Sequence, residues 1–215
     1  MLDSFKTYFQ SKTNLTDEQF HLITDTLQSK KVEKGTVLLH QGDICHHSFF
    51  VSKGLLRSYT IDETGKEHII QFAAENWIIS DRSSSYFNEP SELFIDAIED
   101  TEIVFIDKNF INAAAEISVL FREQDNIALH NHIRQLQKRV NLLLGATAEQ
   151  RYLDFITIYP SLTLRIPQWM IASYLGITPE TLSRVRKELA KRNFSHTKSL
   201  QIHFLSYINA SNFNP

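Results

Sequence analysis

Glu180, Ser183, Arg184 and Lys187 are separated by 3, 1 and 3 residues, so a helix would carry all four on one face. Such a face can recognise the edges of base pairs. A carboxylate near its tip accepts a hydrogen bond from cytosine N4, and a guanidinium one turn later donates two to guanine O6 and N7. Arg186, Lys187, Lys191 and Arg192 add cations suited to phosphates. The plainer alternative is that Glu180 and Arg184 form an exposed i,i+4 ion pair in an ordinary helical hairpin.

The residues around this face are those a helix-turn-helix requires. Counting Gln168 as position 1, Ala172 falls at 5, Gly176 at 9, Leu182 at 15 and Val185 at 18. Two helices crossing steeply need a small residue where they touch, and Ala172 provides it. The sharp turn needs a residue comfortable at positive φ, which Gly176 is. Ile171, Leu175 and Ile177 fill the apolar places between, and Leu182 and Val185 anchor the second helix to the first. Thr178 is a good N-cap, and Pro179 suits the first helical position. Thr181 lies in the same first turn. The opening turn of the preceding helix, at Gln168 and Trp169, can offer backbone N–H groups to a phosphate.

Ahead of this segment, 118–144 reads as one long helix free of Gly and Pro. Leu129, Ile133, Leu136, Val140 and Leu143 are spaced 4-3-4-3 along it, the seam of a two-stranded coiled coil. A helix packed on its own domain is the alternative. Gly145-Ala146-Thr147 offers a break and a fresh cap, and hence a hinge. Another helix begins near Lys108. Earlier the period changes to that of strands, in short runs at 37–39, 48–51, 55–61, 68–72, 77–79, 94–98 and 102–106. Gln41-Gly42-Asp43, Lys53-Gly54, Glu63-Thr64-Gly65-Lys66 and Asn88-Glu89-Pro90 supply turns between them. Many short strands at close spacing imply a sandwich or roll. The first segment reads as a short helix. Phe20, Ile23 and Leu27 lie at helical spacing behind Asn14-Leu15-Thr16-Asp17, with Thr16 or Asn14 as cap.

The 215 residues suit one large domain or two small ones. From 146 to 215 there are 8 Lys/Arg against 4 Asp/Glu, a net +4, while the rest of the chain carries 14 against 21, a net −7. A positive small domain joined to a negative larger one suits a reader of polyanions. No apolar run is long enough to cross a bilayer, so no membrane partner is expected. Residues 1–10 lack a signal-peptide pattern, which places the chain in the cytoplasm. A lone cysteine, Cys45, excludes an internal disulfide and a four-cysteine iron–sulfur or zinc site.

Three other groups invite chemical readings. Cys45-His46-His47 cannot all face one ion from a strand, since neighbours alternate sides, and reads as a polar loop. His130 and His132 have no spacing that demands haem or metal, so no metal site is expected. Ser83-Ser84-Ser85 lacks a nucleophile elbow and a paired base, and reads as a flexible loop. No paired carboxylates, nucleophile–base set or phosphate loop supports an enzyme.

These motifs together resemble the Crp/Fnr family, that of the cyclic-AMP receptor protein. Gln41-Gly42-Asp43, Phe50-Val51-Ser52-Lys53-Gly54 and Asp62-Glu63-Thr64-Gly65-Lys66-Glu67 look like its β-roll motifs. Glu149-Gln150-Arg151 followed by Phe155 looks like the start of its DNA-binding domain. Thr178-Pro179-Glu180-Thr181-Leu182-Ser183-Arg184 looks like its recognition helix, with the base-reading Glu and Arg at Glu180 and Arg184. Pro179 replaces a further arginine of the family, so the operator need not follow the family consensus. The resemblance implies a homodimer on the long helix, double-stranded DNA with a palindromic operator, and contact with RNA polymerase. It also implies a pocket in the roll, and there the sequence departs. Cyclic-nucleotide binders carry Gly-Glu-Leu and, about ten residues on, an Arg-Ser pair that holds the phosphate. The matching stretch here is Ser80-Asp81-Arg82-Ser83, then Ser91-Glu92, without the phosphate arginine; Phe72 and Arg134 complete the candidate pocket. A phosphate buried beside Glu92 with no cation is strongly unfavourable. Cyclic AMP is therefore not expected, no cofactor is implied, and any effector is another molecule.

The expected fold class is α+β: an N-terminal double-stranded β-helix or jelly roll over 1–117, a dimerisation helix and hinge over 118–145, and a winged helix-turn-helix over 146–215. The wing would fall in 193–215, where Ser195-His196-Thr197-Lys198 is the turn signal and His196 or Lys198 could touch phosphate. The rival reading is a ligand-binding sensor that acts through protein–protein contacts without DNA binding.

Overall fold

The computed structural model describes residues 2–24 and 27–192; the wing expected in 193–215 lies outside the described residues. The chain divides into two compact units, 1–140 and 141–215.

Among the described residues, eight short strands build the first unit. They are β1 (Gln28–Val32), β2 (Val37–Leu39), β3 (Ser48–Lys53), β4 (Leu56–Ile61), β5 (Glu67–Ala73), β6 (Ile78–Ile79), β7 (Phe94–Ala97) and β8 (Thr101–Ile106). They form two four-stranded antiparallel sheets, ordered β1-β8-β3-β6 and β2-β7-β4-β5. Strand neighbours leap between distant parts of the chain, as in a roll and unlike a meander. Phe49, Val51, Leu56, Ile79, Ile95 and Ile103 form a buried cluster between them. On β4 the alternation turns Leu56 into that cluster and Arg57 to the opposite face. There Arg57 meets Asp96 through two hydrogen bonds, Nε to Oδ1 at 2.7 Å and Nη2 to Oδ2 at 2.9 Å, and a third reaches Glu67. Its guanidinium lies 4.2 Å from the Tyr59 ring centroid. Burial opposes the Arg57 charge, but hydrogen bonds to Asp96 and Glu67 outweigh it and hold the pKa above the usual arginine value.

Helices cover one side of the roll. They are α1 (Leu2–Thr13), α2 (Asp17–Thr24), α3 (Arg82–Phe87), α4 (Lys108–Ile117) and the start of α5 (Val119–Gly145). Thr16 caps α2: its hydroxyl accepts from Gln19 N–H, and its N–H donates to the Gln19 side chain. Phe5, Phe9, Phe20, Phe50, Phe110 and Phe121 form an aromatic cluster beneath these helices.

Of two expected loops, one is a helix and the other is a loop with a buried thiol. Ser83-Ser84-Ser85 is not a loop but the body of α3. Asp81 caps that helix by accepting from Ser84 N–H at 3.1 Å, and Asn88 ends it in the left-handed region with φ 58°. Two good caps offset the weak helix preference of serine. Cys45-His46-His47 is a loop, yet Cys45 is buried and belongs to the roll core.

In the second unit, α6 (Ala148–Ile158) opens on a capping box between Thr147 and Gln150. A 3₁₀ turn (Leu162–Leu164) and α7 (Gln168–Leu175) follow. The last described element, α8, is helical over residues 179–192.

Candidate nucleic-acid interface

The geometry around α7 and α8 starts from one glycine. Gly176 ends α7 at φ 64°, and its N–H reaches the Ala172 and Ser173 carbonyls. A Cβ there would stand 3.1 Å from Leu143 Cδ2. The backbone angle strains any side chain there, and Leu143 would have to shift by a few tenths of an ångström to admit one. Ala172 is buried as expected of the small contact residue. Thr178 caps α8, its hydroxyl accepting from Thr181 N–H at 3.2 Å.

Behind the turn, Arg151 spreads its guanidinium over three carbonyls. Nε donates to Ala146, Nη1 to Leu175 and Nη2 to Leu143, at 3.1, 3.0 and 3.0 Å. One side chain thereby ties the end of α7 to the Gly145-Ala146 break. Arg151 was legible only as part of a family motif, because carbonyl partners leave no mark in the sequence.

Leu182 and Val185 are 0% and 6% exposed, which fixes the inner face of α8. Glu180, Ser183, Arg184 and Lys187 are all exposed on the other face. Among the described residues no ion pair joins Glu180 to Arg184. The Glu180 carboxyl is held below its ordinary value by its own backbone N–H and then by the Thr178 hydroxyl, so it is ionised at neutral pH. Pro179 and Lys191 are exposed, and Thr181 is half-buried. Gln168 and Trp169 are exposed at the start of α7, where Pro167 supplies no side-chain cap.

Arg192 departs from expectation. Its guanidinium makes two hydrogen bonds to the Glu149 carboxylate, which raises its pKa. Its charge is neutralised within the unit rather than offered to phosphate, and Glu149 lies 43 residues away in sequence.

The pocket residues in the roll behave differently. Asp81 Oδ2 accepts from the Ser91 hydroxyl at 2.8 Å while Oδ1 caps α3. Ser84 donates to the Glu89 carbonyl at 2.6 Å and accepts from Cys45 N–H at 2.9 Å. The stretch 81–91 is therefore closed on itself. Phe72 is fully buried, Ser80 half-buried, and Arg82, Ser83 and Glu92 exposed. Arg134 is exposed and donates to Asn131. Asp81 and Ser91 are brought together.

On α5, Leu129, Ile133, Leu136, Val140 and Leu143 remain between 38% and 52% exposed. No described helix is long and apolar enough to cross a membrane.

Comparison with known proteins accords with this geometry. The cyclic nucleotide-binding domain family matches residues 29–118. The chain is 28% identical over 205 residues to the transcriptional regulator Flp of Lacticaseibacillus casei, across 90% of each chain. It is 24% identical over 205 residues to the fumarate and nitrate reduction regulatory protein of Vibrio cholerae, across 90% of this chain and 81% of that one. A solved transcriptional regulator of the Crp/Fnr family from Eubacterium rectale shares the fold with a TM-score of 0.63. It is 21% identical over 86% of this chain and 88% of that one. The first unit thus holds a cyclic nucleotide-binding-type roll. Over most of its length the chain is thus similar to transcription regulators, and it shares its fold with one of the Crp/Fnr family.

Proposed function

We propose that the chain binds DNA sequence-specifically as a homodimer on a palindromic operator. Residues 146–215 are its winged helix-turn-helix, 118–145 its dimerisation helix and hinge, and 1–117 its sensor. One observation carries this reading: α8 is pinned by Leu182 and Val185 while Glu180, Ser183, Arg184 and Lys187 stand exposed on its outer face. A helix so held can enter the major groove by its N-terminal end. Arg184 reads guanine and Glu180 reads cytosine. Thr178, Pro179, Thr181 and Ser183 line the tip, Lys187 and Lys191 meet phosphates, and the Gln168 and Trp169 backbone binds another phosphate. The exposed stripe on α5 packs against its mate, which gives two α8 helices one symmetry axis. RNA polymerase is the partner beside the operator, and the cytoplasm is the compartment.

Cyclic AMP is not the effector. Ser91 donates to Asp81, and the residue next to it in sequence is Glu92, where a cyclic phosphate would need a cation.

Selection of fragments from a randomised duplex library by the purified chain, with and without cyclic nucleotides, tests the reading. The expected product is a two-fold symmetric motif that cyclic nucleotides do not alter. Recovery of unrelated fragments, with no salt-dependent binding, would favour a sensor acting through protein contacts.

A further inference from the structure

A cavity of about 160 Å³ lies at the edge of the aromatic cluster, bounded by α1, α3, α4, α5 and strands β3, β6 and β8 of the roll. It is distinct from the roll interior, where buried apolar side chains already pack together. Its walls are apolar, with Phe9, Phe110 and Phe121 on one part and Ile78, Ile106 and Ile111 on another. A dry apolar cavity of roughly 150 Å³ is large enough to take a benzene ring. This one is not purely apolar, because Lys12 of α1 and Arg82 of α3 also line it, with Asp125 and Asn131 of α5.

The two cations have few competing partners. Lys12 lies 5.3 Å from the Tyr8 ring centroid. Among the described residues neither Lys12 nor Arg82 makes an ion pair. Arg82 reaches towards α5: burial first, and then the Arg82 charge, push the His132 imidazole below its ordinary pKa. With Asp125 as the one acid among the described lining residues, the two cations leave a net positive rim on an apolar, ring-sized hole.

We propose that this cavity binds a small aromatic carboxylate of the size of benzoate. The ring sits among the phenylalanines and isoleucines, and the carboxylate accepts from Lys12 and Arg82. Burial of the ring supplies affinity, and the charge-assisted hydrogen bonds set orientation and select an acid over a neutral analogue. Ala128 and Asn131, which line the cavity, flank Leu129 of the exposed α5 stripe. Occupancy therefore bears on the helix assigned to dimerisation. That regulatory consequence rests on the function proposed above, whereas binding itself does not.

Calorimetric titration of the full chain with benzoate, benzyl alcohol and acetate tests the site. Benzoate is expected to bind one per chain, with acetate weaker for want of a ring. The Lys12→Gln/Arg82→Gln double variant should lose roughly 10- to 100-fold for benzoate and little for benzyl alcohol. Ile111→Trp, which fills the hole, should abolish binding of both. No heat with benzoate, or affinity indifferent to both variants, would overturn the proposal. DNA affinity of the same preparation, measured by fluorescence anisotropy, separates the two claims. A chain that binds benzoate but no DNA keeps the site and loses the regulator reading. A chain that binds DNA but not benzoate does the reverse.

Discussion

The start of α3 and the start of α8 are built from similar residues and put to opposite uses. Each is a capped helix whose first turns carry an acid or its cap, an arginine and serine: Asp81-Arg82-Ser83-Ser84 in one, Glu180-Thr181-Leu182-Ser183-Arg184 in the other. In α3 the acid is itself the cap. Asp81 is buried, and its second oxygen holds Ser91. In α8 the cap is Thr178, one residue ahead of the helix, which leaves Glu180 facing outward. Moving the capping duty from the acid to a threonine frees the carboxylate for recognition. Polar groups satisfied inside the fold hold shape, and those left outward on a rigid helix offer contacts.

Breaking the inward-facing side of this contrast should have the largest effects, on stability alone. Asp96→Ala would leave the buried Arg57 charge with Glu67 as its remaining carboxylate partner and is expected to cost about 3 kcal/mol in denaturant unfolding. On the exposed α5 stripe, Leu136→Glu should weaken the proposed dimer by about 3 kcal/mol, one leucine being lost from each side of its seam, read by sedimentation. A dimer that survives unchanged would place the seam elsewhere. Asp81→Ala removes a cap and the carboxylate that accepts from Ser91, a loss of about 1–3 kcal/mol. Its affinity for a selected operator should stay level where the protein remains folded. A drop in operator affinity would show that 81–91 is coupled to DNA reading. On the outward-facing side, Lys187→Ala should weaken all sequences alike and lower the log–log salt slope by about 1. The smallest change belongs to stability: Arg184→Ala should alter it by no more than about 0.5 kcal/mol.

Much of α7 and α8 was legible in sequence because each requirement is local. A turn at positive φ asks for Gly176, a cap for Thr178, and a contact point for Ala172. The strands bounded by glycine turns were legible for the same reason. β1 was not: Gln28-Ser29-Lys30-Lys31-Val32 lacks apolar alternation and is a strand through pairing with β8. α1 was missed too, although Phe5 and Phe9 stand one turn apart, because their partners Phe50, Phe110 and Phe121 are far along the chain. Serine composition pointed α3 towards a loop, and the caps at Asp81 and Asn88 overrode it. Arg192 looked like a phosphate contact only because its partner Glu149 lies in another helix. Long-range partners, invisible to spacing rules, account for these differences.

The most direct test measures the affinity of the chain and of Arg184→Ala for the selected operator and for the same operator with each guanine replaced in turn. The account predicts that one symmetric pair of guanines costs the parent chain about 1–3 kcal/mol per half-site and costs the variant nothing further. Equal penalties in both proteins at every guanine would contradict base reading by α8.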